Sequence, residues 1–339
     1  MQTIRLGRTN IAVSRSGFGA IPIQRISFDE AKALLRRAYE GGINFFDTAH
    51  GYTDSEEKIG NALSDVRDKI VIATKSPSRT REGVMQDIET SLTRLKTDYI
   101  DILQTHNPDF VPQPGGEDGI YDALSEAKAQ GKIRHIGLSN HRLPIALAAV
   151  ESNLYDTIQF PLNYLSSEKD LQLIEKCRQR DMGVIAMKAL SGGLITKAAP
   201  TFAFLRQYDN VVPIWGIETI AQIDEFLNLE QNPPVLDEAM QKIIEHDRKE
   251  LSGNFCRGCG YCLPCPVEIP INMAARMNLA MRRMVTQRFL TDEWKAKMER
   301  IADCTECGQC KERCPYDLDI PDLLKRQLVQ YREFCAKHA

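Results

Sequence analysis

The sequence has little excess charge of either sign, since 43 lysines and arginines stand against 46 aspartates and glutamates, for a net charge of −3 over 339 residues. It therefore lacks the basic field that attracts nucleic acid or an anionic membrane surface. No apolar run approaches the roughly 20 residues that a membrane helix needs, and residues 1–10 lack the apolar core of a signal peptide. These absences predict a soluble cytoplasmic protein that binds neither nucleic acid nor membrane.

Cysteine is nearly absent from the first 250 residues, which contain only Cys177, whereas eight of the ten cysteines lie between Cys256 and Cys314. A disulfide scaffold distributes its cysteines along a short secreted chain. Concentration in one segment instead indicates a metal-binding module joined to another domain. The sequence predicts a first domain over residues 1–249 and a second over residues 250–339.

Short apolar, β-rich runs alternate with amphipathic stretches through the first domain. A parallel sheet that is buried on both faces produces continuous apolar strands of this kind between helices. Eight such units in roughly 230 residues match a (β/α)8 TIM barrel better than a doubly wound sheet, and no G-x-G-x-x-G follows the first run. We therefore predict an α/β fold of the TIM-barrel type. The predicted strands cover residues 18–23, 43–48, 70–74, 99–105, 133–138, 157–160, 183–187 and 211–215.

Polar side chains stand where these predicted strands end, at the carboxyl edge where barrel enzymes place their chemistry. Asp47 and Tyr52 follow the second strand, Lys75 follows the third and His106 follows the fourth. Each residue alone is more often a packing or hydrogen-bonding group than a catalytic one. Together they fit one reaction, because an ammonium lowers the pKa of a nearby phenol, a carboxylate holds the ammonium, and a histidine donates to the same substrate oxygen. The set predicts protonation of an oxygen while hydride reaches the attached carbon.

Four stretches carry a resemblance to the aldo-keto reductase superfamily: residues 44–60 (NFFDTAHGYTDSEEKIG), 72–75 (IATK), 103–106 (LQTH) and 137–140 (GLSN). The resemblance extends over residues 3–229. It implies that Tyr52 is the general acid and base, that His106 orients the substrate oxygen, and that Asp47 and Lys75 tune Tyr52. It also implies an oxidoreductase that uses NAD(P)H to reduce a small carbonyl substrate, an aldehyde or a ketone.

The same resemblance assigns residues to the dinucleotide. Ser139, Asn140 and Gln159 would hold the nicotinamide carboxamide, and the turn with Leu190 and Gly192 would lie along the pyrophosphate, where glycine permits close approach. Members of the family usually stack an aromatic ring on the nicotinamide from the end of strand seven. This sequence has Met187 at that position, which predicts a thioether contact, and Lys188 beside it is a candidate for a phosphate.

The stretch after predicted strand eight contains Gly216, Glu218 and Glu225, and no lysine or arginine occurs from residue 207 to residue 241. Family members often place a cation here against the 2′-phosphate of NADPH. Without a cation that phosphate is poorly recognised. A carboxylate such as Glu218 suits a ribose hydroxyl instead. The sequence therefore favours NADH over NADPH.

The second domain contains two cysteine motifs. The later motif has the C-x2-C-x2-C-x3-C-P spacing of bacterial ferredoxins, and the earlier one is a residue shorter in its last interval. Zinc is the alternative for paired C-x2-C sequences, but it needs only four ligands. The pattern predicts two 4Fe-4S clusters with interlocked ligands, and a single cluster remains an alternative because of the shortened interval. The predicted ligands are Cys256, Cys259, Cys262, Cys265, Cys304, Cys307, Cys310 and Cys314.

The long, helical spacer between the motifs resembles the α-helical dicluster ferredoxins, with helices predicted over residues 271–290, 292–301 and 320–331. The whole chain thus resembles an aldo-keto reductase subgroup that carries a small, mainly α-helical ferredoxin-like iron–sulfur domain. Three hypotheses stay open at this point. The clusters are separate from carbonyl reduction, as a structural or regulatory module or an electron port; or a ferredoxin-like partner supplies electrons through them; or the protein is a non-catalytic nicotinamide redox sensor.

Overall fold

The computed structural model describes residues 1–251, 255–260, 262–283, 289–314 and 316–338 of the chain. They form two compact units, the first from Met1–Ala189 with Ala198–Met240, the second from Leu190–Lys197 with Gln241–Ala339. The domain limits expected from the sequence stay a prediction. Within the described ranges, no helix has both the length and the apolar character that crossing a membrane requires.

The first unit contains a closed barrel of eight parallel strands, which confirms the predicted TIM-barrel fold. A two-stranded antiparallel hairpin precedes it, with β1 at Thr3–Arg5 and β2 at Ala12–Ser14. Around the barrel the order is β10-β3-β4-β5-β6-β7-β8-β9. The barrel strands are β3 (Gly17–Gly19), β4 (Phe45–Asp47), β5 (Val71–Ser76), β6 (Ile100–His106), β7 (Ile133–Ser139), β8 (Thr157–Pro161), β9 (Gly183–Met187) and β10 (Val211–Gly216).

Helices connect consecutive barrel strands, as right-handed parallel crossovers require. The first of them begins at Ser27, whose side chain and that of Glu30 form a reciprocal capping box, and it ends at Gly41. The helices from residue 28 to residue 250 are α1 (Phe28–Glu40), α2 (Ser55–Leu63), α3 (Arg81–Leu95), α4 (Ile120–Ala129), α5 (Leu143–Ser152), α6 (Glu168–Gln179), α7 (Ala198–Leu205), α8 (Ile220–Gln231) and α9 (Glu238–Glu250).

The barrel interior changes from apolar to polar along the strands. Because side chains alternate along a strand, Phe45, Ala73 and Ile102 point inward and pack in one cluster with Leu6 and Val13 of the amino-terminal hairpin. The next inward positions on β4, β5 and β6, two residues further along, are occupied by polar side chains. The hairpin thus closes the apolar end of the barrel, and the polar groups collect at the carboxyl end.

The first predicted strand is shorter than expected. The apolar run continues past β3, but residues Ile21–Arg25 form a 3-10 helix, with Pro22 in its first turn. Proline lacks the N–H that a further pair of strand hydrogen bonds requires. The 3-10 helix carries the chain over the carboxyl end of the barrel, which places Arg25 near residues that follow β10.

The second unit is helical around the cysteine motifs, as predicted. The helix expected over residues 271–290 is interrupted, because the chain tightens at Arg276, whose backbone N–H bonds to the Met273 carbonyl three residues back. Residues 284–288 of that prediction lie outside the described residues. The helices here are α10 (Ile271–Ala274), α11 (Met277–Arg283), α12 (Asp292–Glu299), α13 (Gln309–Glu312) and α14 (Ile320–Lys337).

A buried ion pair joins the segment before β5 to β6. Arg67 donates to the Asp101 carboxylate at 2.6 Å, and both side chains are less than 10% exposed. Arg134 also pairs with Asp101, at 3.1 Å, but is 53% exposed. Both guanidinium groups lie over the ring of Tyr99. The two arginines therefore share Asp101 and Tyr99 at different depths, and Arg67 also donates to the carbonyls of Ile70 and Tyr99.

Replacing Arg67 should destabilise the barrel far more than replacing Arg134. Arg67→Met leaves a buried Asp101 carboxylate without its main partner, which costs about 3–5 kcal/mol. Arg134→Met removes an exposed pair worth about 1 kcal/mol or less. Denaturant unfolding of the two variants under anaerobic conditions measures the difference. Equal losses in the two variants would contradict this assignment of the interior pair.

Candidate functional site

A buried ion pair lies at the carboxyl end of the barrel. Asp47 ends β4 and Lys75 lies on β5, and the Lys75 ammonium donates to Asp47 Oδ1 at 2.7 Å and to the Thr48 carbonyl. Both charged side chains are almost fully buried. Burial raises the pKa of Asp47 and lowers the pKa of Lys75, while the opposite charge of each partner counteracts the shift. The pair is held together because neither charge has water to stabilise it.

The loop after β4 places Tyr52 beside this pair. His50 N–H donates to the Lys75 carbonyl at 3.0 Å, and the hydroxyls of Thr48 and Ser55 bond at 2.9 Å across the loop. The Lys75 ammonium lies 5.3 Å from the centroid of the Tyr52 ring. The His106 ring meets the Tyr52 ring edge-on, with centroids 5.8 Å apart. Groups from three successive strand ends thus come together at the carboxyl end of the barrel.

The pKa of Tyr52 differs from the one expected from the sequence. Burial and then the Asp47 charge raise the pKa of the Tyr52 phenol, whereas the sequence argument expected Lys75 to lower it. Burial penalises the charged phenolate, so the phenol stays protonated. Burial, together with Lys75 and Arg79, lowers the pKa of His106 to about 3. The site therefore holds a neutral phenol and a neutral imidazole, both able to donate a hydrogen bond.

Gln104 belongs to this cluster and was not among the predicted residues. Its Nε2 donates to Gln159 Oε1 at 2.7 Å and lies 3.4 Å from Asp47 Oδ2. Gln159 in turn donates to Asp47 Oδ1 at 3.4 Å. Strand periodicity could have identified Gln104, since it stands two residues before His106 and so shares its inward face. A criterion based only on strand ends does not include it, because Gln104 lies inside β6.

Ser139 and Asn140, predicted to hold a carboxamide, have different environments. Ser139 ends β7 and pairs in register with Gln159 on β8, so both residues occupy inward positions. Asn140 is fully buried, and its side chain bonds backbone on both sides. Its Nδ2 donates to the Pro108 carbonyl at 2.7 Å, and its Oδ1 accepts from the Arg142 N–H at 2.8 Å. Asn140 therefore joins two rim loops in addition to any ligand role.

The residues from the end of β9 onwards belong first to one unit and then to the other. Met187 is 8% exposed and packs with the apolar interior of the barrel. Lys188 follows with a left-handed backbone at φ +54°, and its carbonyl accepts from Asn163 Nδ2 at 2.9 Å. The predicted pyrophosphate turn lies in Leu190–Lys197, which the contacts assign to the second unit.

The region after β10 contains a cation that the local sequence does not supply. Gly216 and Glu225 are exposed, and the Glu218 carboxylate pairs with the Arg25 guanidinium at 2.6 Å. The absence of lysine and arginine between residues 207 and 241 is therefore offset by a residue from the other end of the barrel domain. This contact weakens the charge argument for NADH.

Cysteines of the two motifs lie close together within the second unit. A pocket open to solvent is lined by two cysteines of the first motif and three cysteines of the second. Conversely, Cys256 lies close enough to Cys259 and Cys314 for their charges to add to the effect of burial, which raises its pKa. The cysteines that line the pocket are Cys262, Cys265, Cys304, Cys307 and Cys310.

Comparison with known proteins identifies both units. The model of the Aldo/keto reductase family matches residues 15–201, which is more than half of the chain. The chain belongs to the aldo/keto reductase family. The model of a 4Fe-4S dicluster domain matches residues 255–319 of this aldo/keto reductase. The two predicted resemblances are thereby confirmed.

Named relatives are oxidoreductases. L-galactose dehydrogenase of Arabidopsis thaliana is 34% identical over 219 residues, covering 58% of this aldo/keto reductase and 67% of the plant protein. The NADH-specific methylglyoxal reductase of Escherichia coli is 29% identical over 232 residues, covering 58% and 69%. An aldo-keto reductase of Klebsiella pneumoniae, solved in complex with NADPH, shares the fold with a TM-score of 0.62 at 22% identity, covering 72% and 94%.

The imidazole of His106 should remain neutral across the physiological range. Because its folded pKa is about 3 and the unfolded value is about 6.5, the unfolded chain binds the extra proton first. Stability should therefore fall as the pH drops below about 6.5 towards 3. NMR of the His106 ring, assigned with His106→Gln, should show no titration between about pH 5 and 8. A midpoint near 6.5 would contradict a neutral, buried imidazole.

Proposed function

We propose that this protein reduces an aldehyde or ketone with NAD(P)H at the carboxyl end of the barrel. The observation that carries the proposal is the packing of Tyr52 against both Lys75 and His106, above the buried Asp47 carboxylate. A phenol, an imidazole and an ion pair around one small volume suit the protonation of a developing alkoxide. The substrate is therefore proposed to be a small carbonyl compound.

Each side chain has a distinct task in this proposal. Tyr52 keeps its proton because burial raises its pKa, and it gives that proton up only when negative charge develops on the substrate oxygen. His106, which is neutral, donates a second hydrogen bond to that oxygen. Asp47 and Lys75 act as positioning residues that hold the loop of Tyr52 on β5. Gln104 supports Asp47 from the next strand.

The barrel interior suits a nicotinamide. Gln104 Oε1 is a buried acceptor without a hydrogen-bond partner among the described residues, and the adjacent positions Ser139 and Gln159 offer a hydroxyl and an amide. These groups match the donor and acceptor of a carboxamide, which we propose they hold together with Asn140. Bound nicotinamide supplies hydride to the carbonyl carbon. The remaining proposed cofactor contacts are Met187, Lys188, Leu190, Gly192, Gly216, Glu218 and Glu225.

NADH is the proposed dinucleotide, with Glu218 as acceptor for a ribose hydroxyl. The ion pair with Arg25 does not remove this preference. While Glu218 neutralises the guanidinium, Arg25 has little charge left to attract a 2′-phosphate. The Escherichia coli relative is named as NADH-specific, and the Klebsiella pneumoniae structure contains NADPH, so the family accommodates both dinucleotides.

Two 4Fe-4S clusters are proposed for the second unit, each with three cysteines of one motif and the last cysteine of the other. Cysteines of both motifs line one pocket, which supports ligand sets drawn from the two motifs together. The proposed sets are Cys256, Cys259, Cys262 with Cys314, and Cys304, Cys307, Cys310 with Cys265.

The clusters are proposed to form an electron port separate from the hydride chemistry. Bound 4Fe-4S clusters transfer single electrons. Cys307, in the second set, is exposed, which favours exchange with a ferredoxin-like partner. Such exchange needs a reducing compartment, and we propose the cytoplasm. If the partner instead drives the barrel reaction, dithionite-reduced protein should reduce substrate without NAD(P)H.

Removal of the Tyr52 hydroxyl should abolish most carbonyl reduction. Tyr52→Phe is expected to lower kcat about 10²- to 10⁴-fold, because the proton donor is lost while the ring still packs on His106. Tyr121→Phe is the matched control, since its hydroxyl donates to the Leu154 carbonyl outside the site. Steady-state oxidation of NADH over an aldehyde and ketone panel measures both. Tight dinucleotide binding by wild type without turnover on any panel member would favour the redox sensor.

The choice of dinucleotide should depend on Glu218. Wild type should have a higher kcat/KM for NADH than for NADPH. Glu218→Gln leaves the Arg25 guanidinium unpaired, so the NADPH-to-NADH ratio of kcat/KM should rise about tenfold, the equivalent of one charge-assisted hydrogen bond. The double change with Arg25→Gln should cancel the rise. If the NADPH-to-NADH ratio is unchanged in Glu218→Gln, the ribose 2′ position of the dinucleotide does not lie beside Glu218.

Iron content should report the interlocked ligand sets. Protein purified without oxygen should be brown and contain about eight irons per chain. Cys265→Ser should perturb the cluster held by the second motif, and Cys314→Ser the cluster held by the first. Cys177→Ser, which lies in the barrel, should retain all iron. Iron and zinc analysis with electron paramagnetic resonance measures these results, and stoichiometric zinc in colourless protein would refute the clusters.

A further inference from the structure

A buried arginine lies beside the first cysteine motif. Arg276 occupies the break between α10 and α11 and is 5% exposed. Its Nη2 donates to the Gly192 carbonyl at 2.8 Å. Both residues belong to the second unit, so this hydrogen bond joins Leu190–Lys197 to the helical cysteine region inside that unit. The bond fixes the orientation of the guanidinium plane.

Two glycines make room for the guanidinium. A Cβ atom on Gly258 would stand 2.7 Å from Arg276 Nη1, and one on Gly192 would stand 3.3 Å from the same atom. The Gly258 N–H meanwhile points to Cys256 Sγ at 3.3 Å. Arg276 therefore packs against the backbone loop that carries the first two cysteines of the motif.

One donor of Arg276 lacks an acceptor within the described ranges. Its Nε is buried and has no hydrogen-bond partner among the described residues. A buried N–H without a partner costs free energy, so such groups usually face a ligand or water. Burial lowers the pKa of Arg276, and the charge of Cys256 counteracts this effect, which places the thiolate within electrostatic reach. The sulfurs of a 4Fe-4S cluster on this motif are acceptors of suitable charge.

We propose that Arg276 is a positioning residue that raises the reduction potential of the cluster held by Cys256, Cys259, Cys262 and Cys314. This inference rests on the clusters of the proposed function. Reduction adds negative charge to a cluster, and a nearby guanidinium in a dry interior stabilises the reduced form. The Gly192 carbonyl keeps the guanidinium in place, so the loop at Leu190–Lys197 contributes to the tuning.

The test is a potentiometric titration of the whole protein, followed by electron paramagnetic resonance. In Arg276→Gln the midpoint potential of one of two cluster signals should shift to a lower value. Arg276→Lys keeps the charge but loses the planar fork, so its shift should be smaller. Arg332→Gln is the control, because it removes one charge from an exposed pair with Glu299. The other cluster signal should move little in any variant.

Iron analysis separates the possible failures. Wild type without iron would contradict the proposed function, whereas iron-replete Arg276→Gln with the potential of Arg332→Gln would overturn this inference alone. An unchanged potential combined with weaker NADH binding, followed by fluorescence, would assign the guanidinium to dinucleotide phosphate and overturn it as well. Loss of four irons in both Arg276 variants would mean a structural role instead of tuning.

Discussion

The buried pair of Asp47 and Lys75 is the constraint on which the barrel site depends. Neither charge is exposed to water, so each requires the other, and loss of one partner costs about 3–5 kcal/mol. That requirement fixes the ends of β4 and β5 relative to each other. The loop that carries Tyr52 is hydrogen-bonded to the same strand ends, and β6 places His106 against the Tyr52 ring. The arrangement of the proposed catalytic side chains therefore depends on this one ion pair.

The reactions proposed for the two units transfer different numbers of electrons. A nicotinamide transfers two electrons as hydride, whereas each 4Fe-4S cluster exchanges one. The barrel contains the side chains proposed for the two-electron reaction, and the second unit contains two cysteine motifs that share one pocket and include the exposed Cys307. Separate reactions in one chain need no intermediate carrier between them. The division therefore favours an independent electron port.

Local patterns predicted most of the fold and of the site. Apolar runs, strand ends and cysteine spacing depend on neighbours in sequence, so they were readable without coordinates. Residues that act from a distance were not. Arg25 reaches Glu218 from the loop after β3, Gln104 acts from inside the barrel, and burial reverses the expected pKa shift of Tyr52. Arg276 likewise depends on contacts with glycines remote in sequence, Gly192 and Gly258.

Deuteride transfer in a single turnover tests the central claim most directly. Wild type is mixed with NADH that carries deuterium at both C4 positions and with a carbonyl substrate, and the product is analysed by mass spectrometry. The account predicts one deuterium per product. In Lys75→Met it predicts that NADH still binds and that the transfer rate falls by about 10²-fold or more. Product without deuterium, or an unchanged rate in Lys75→Met, would contradict it.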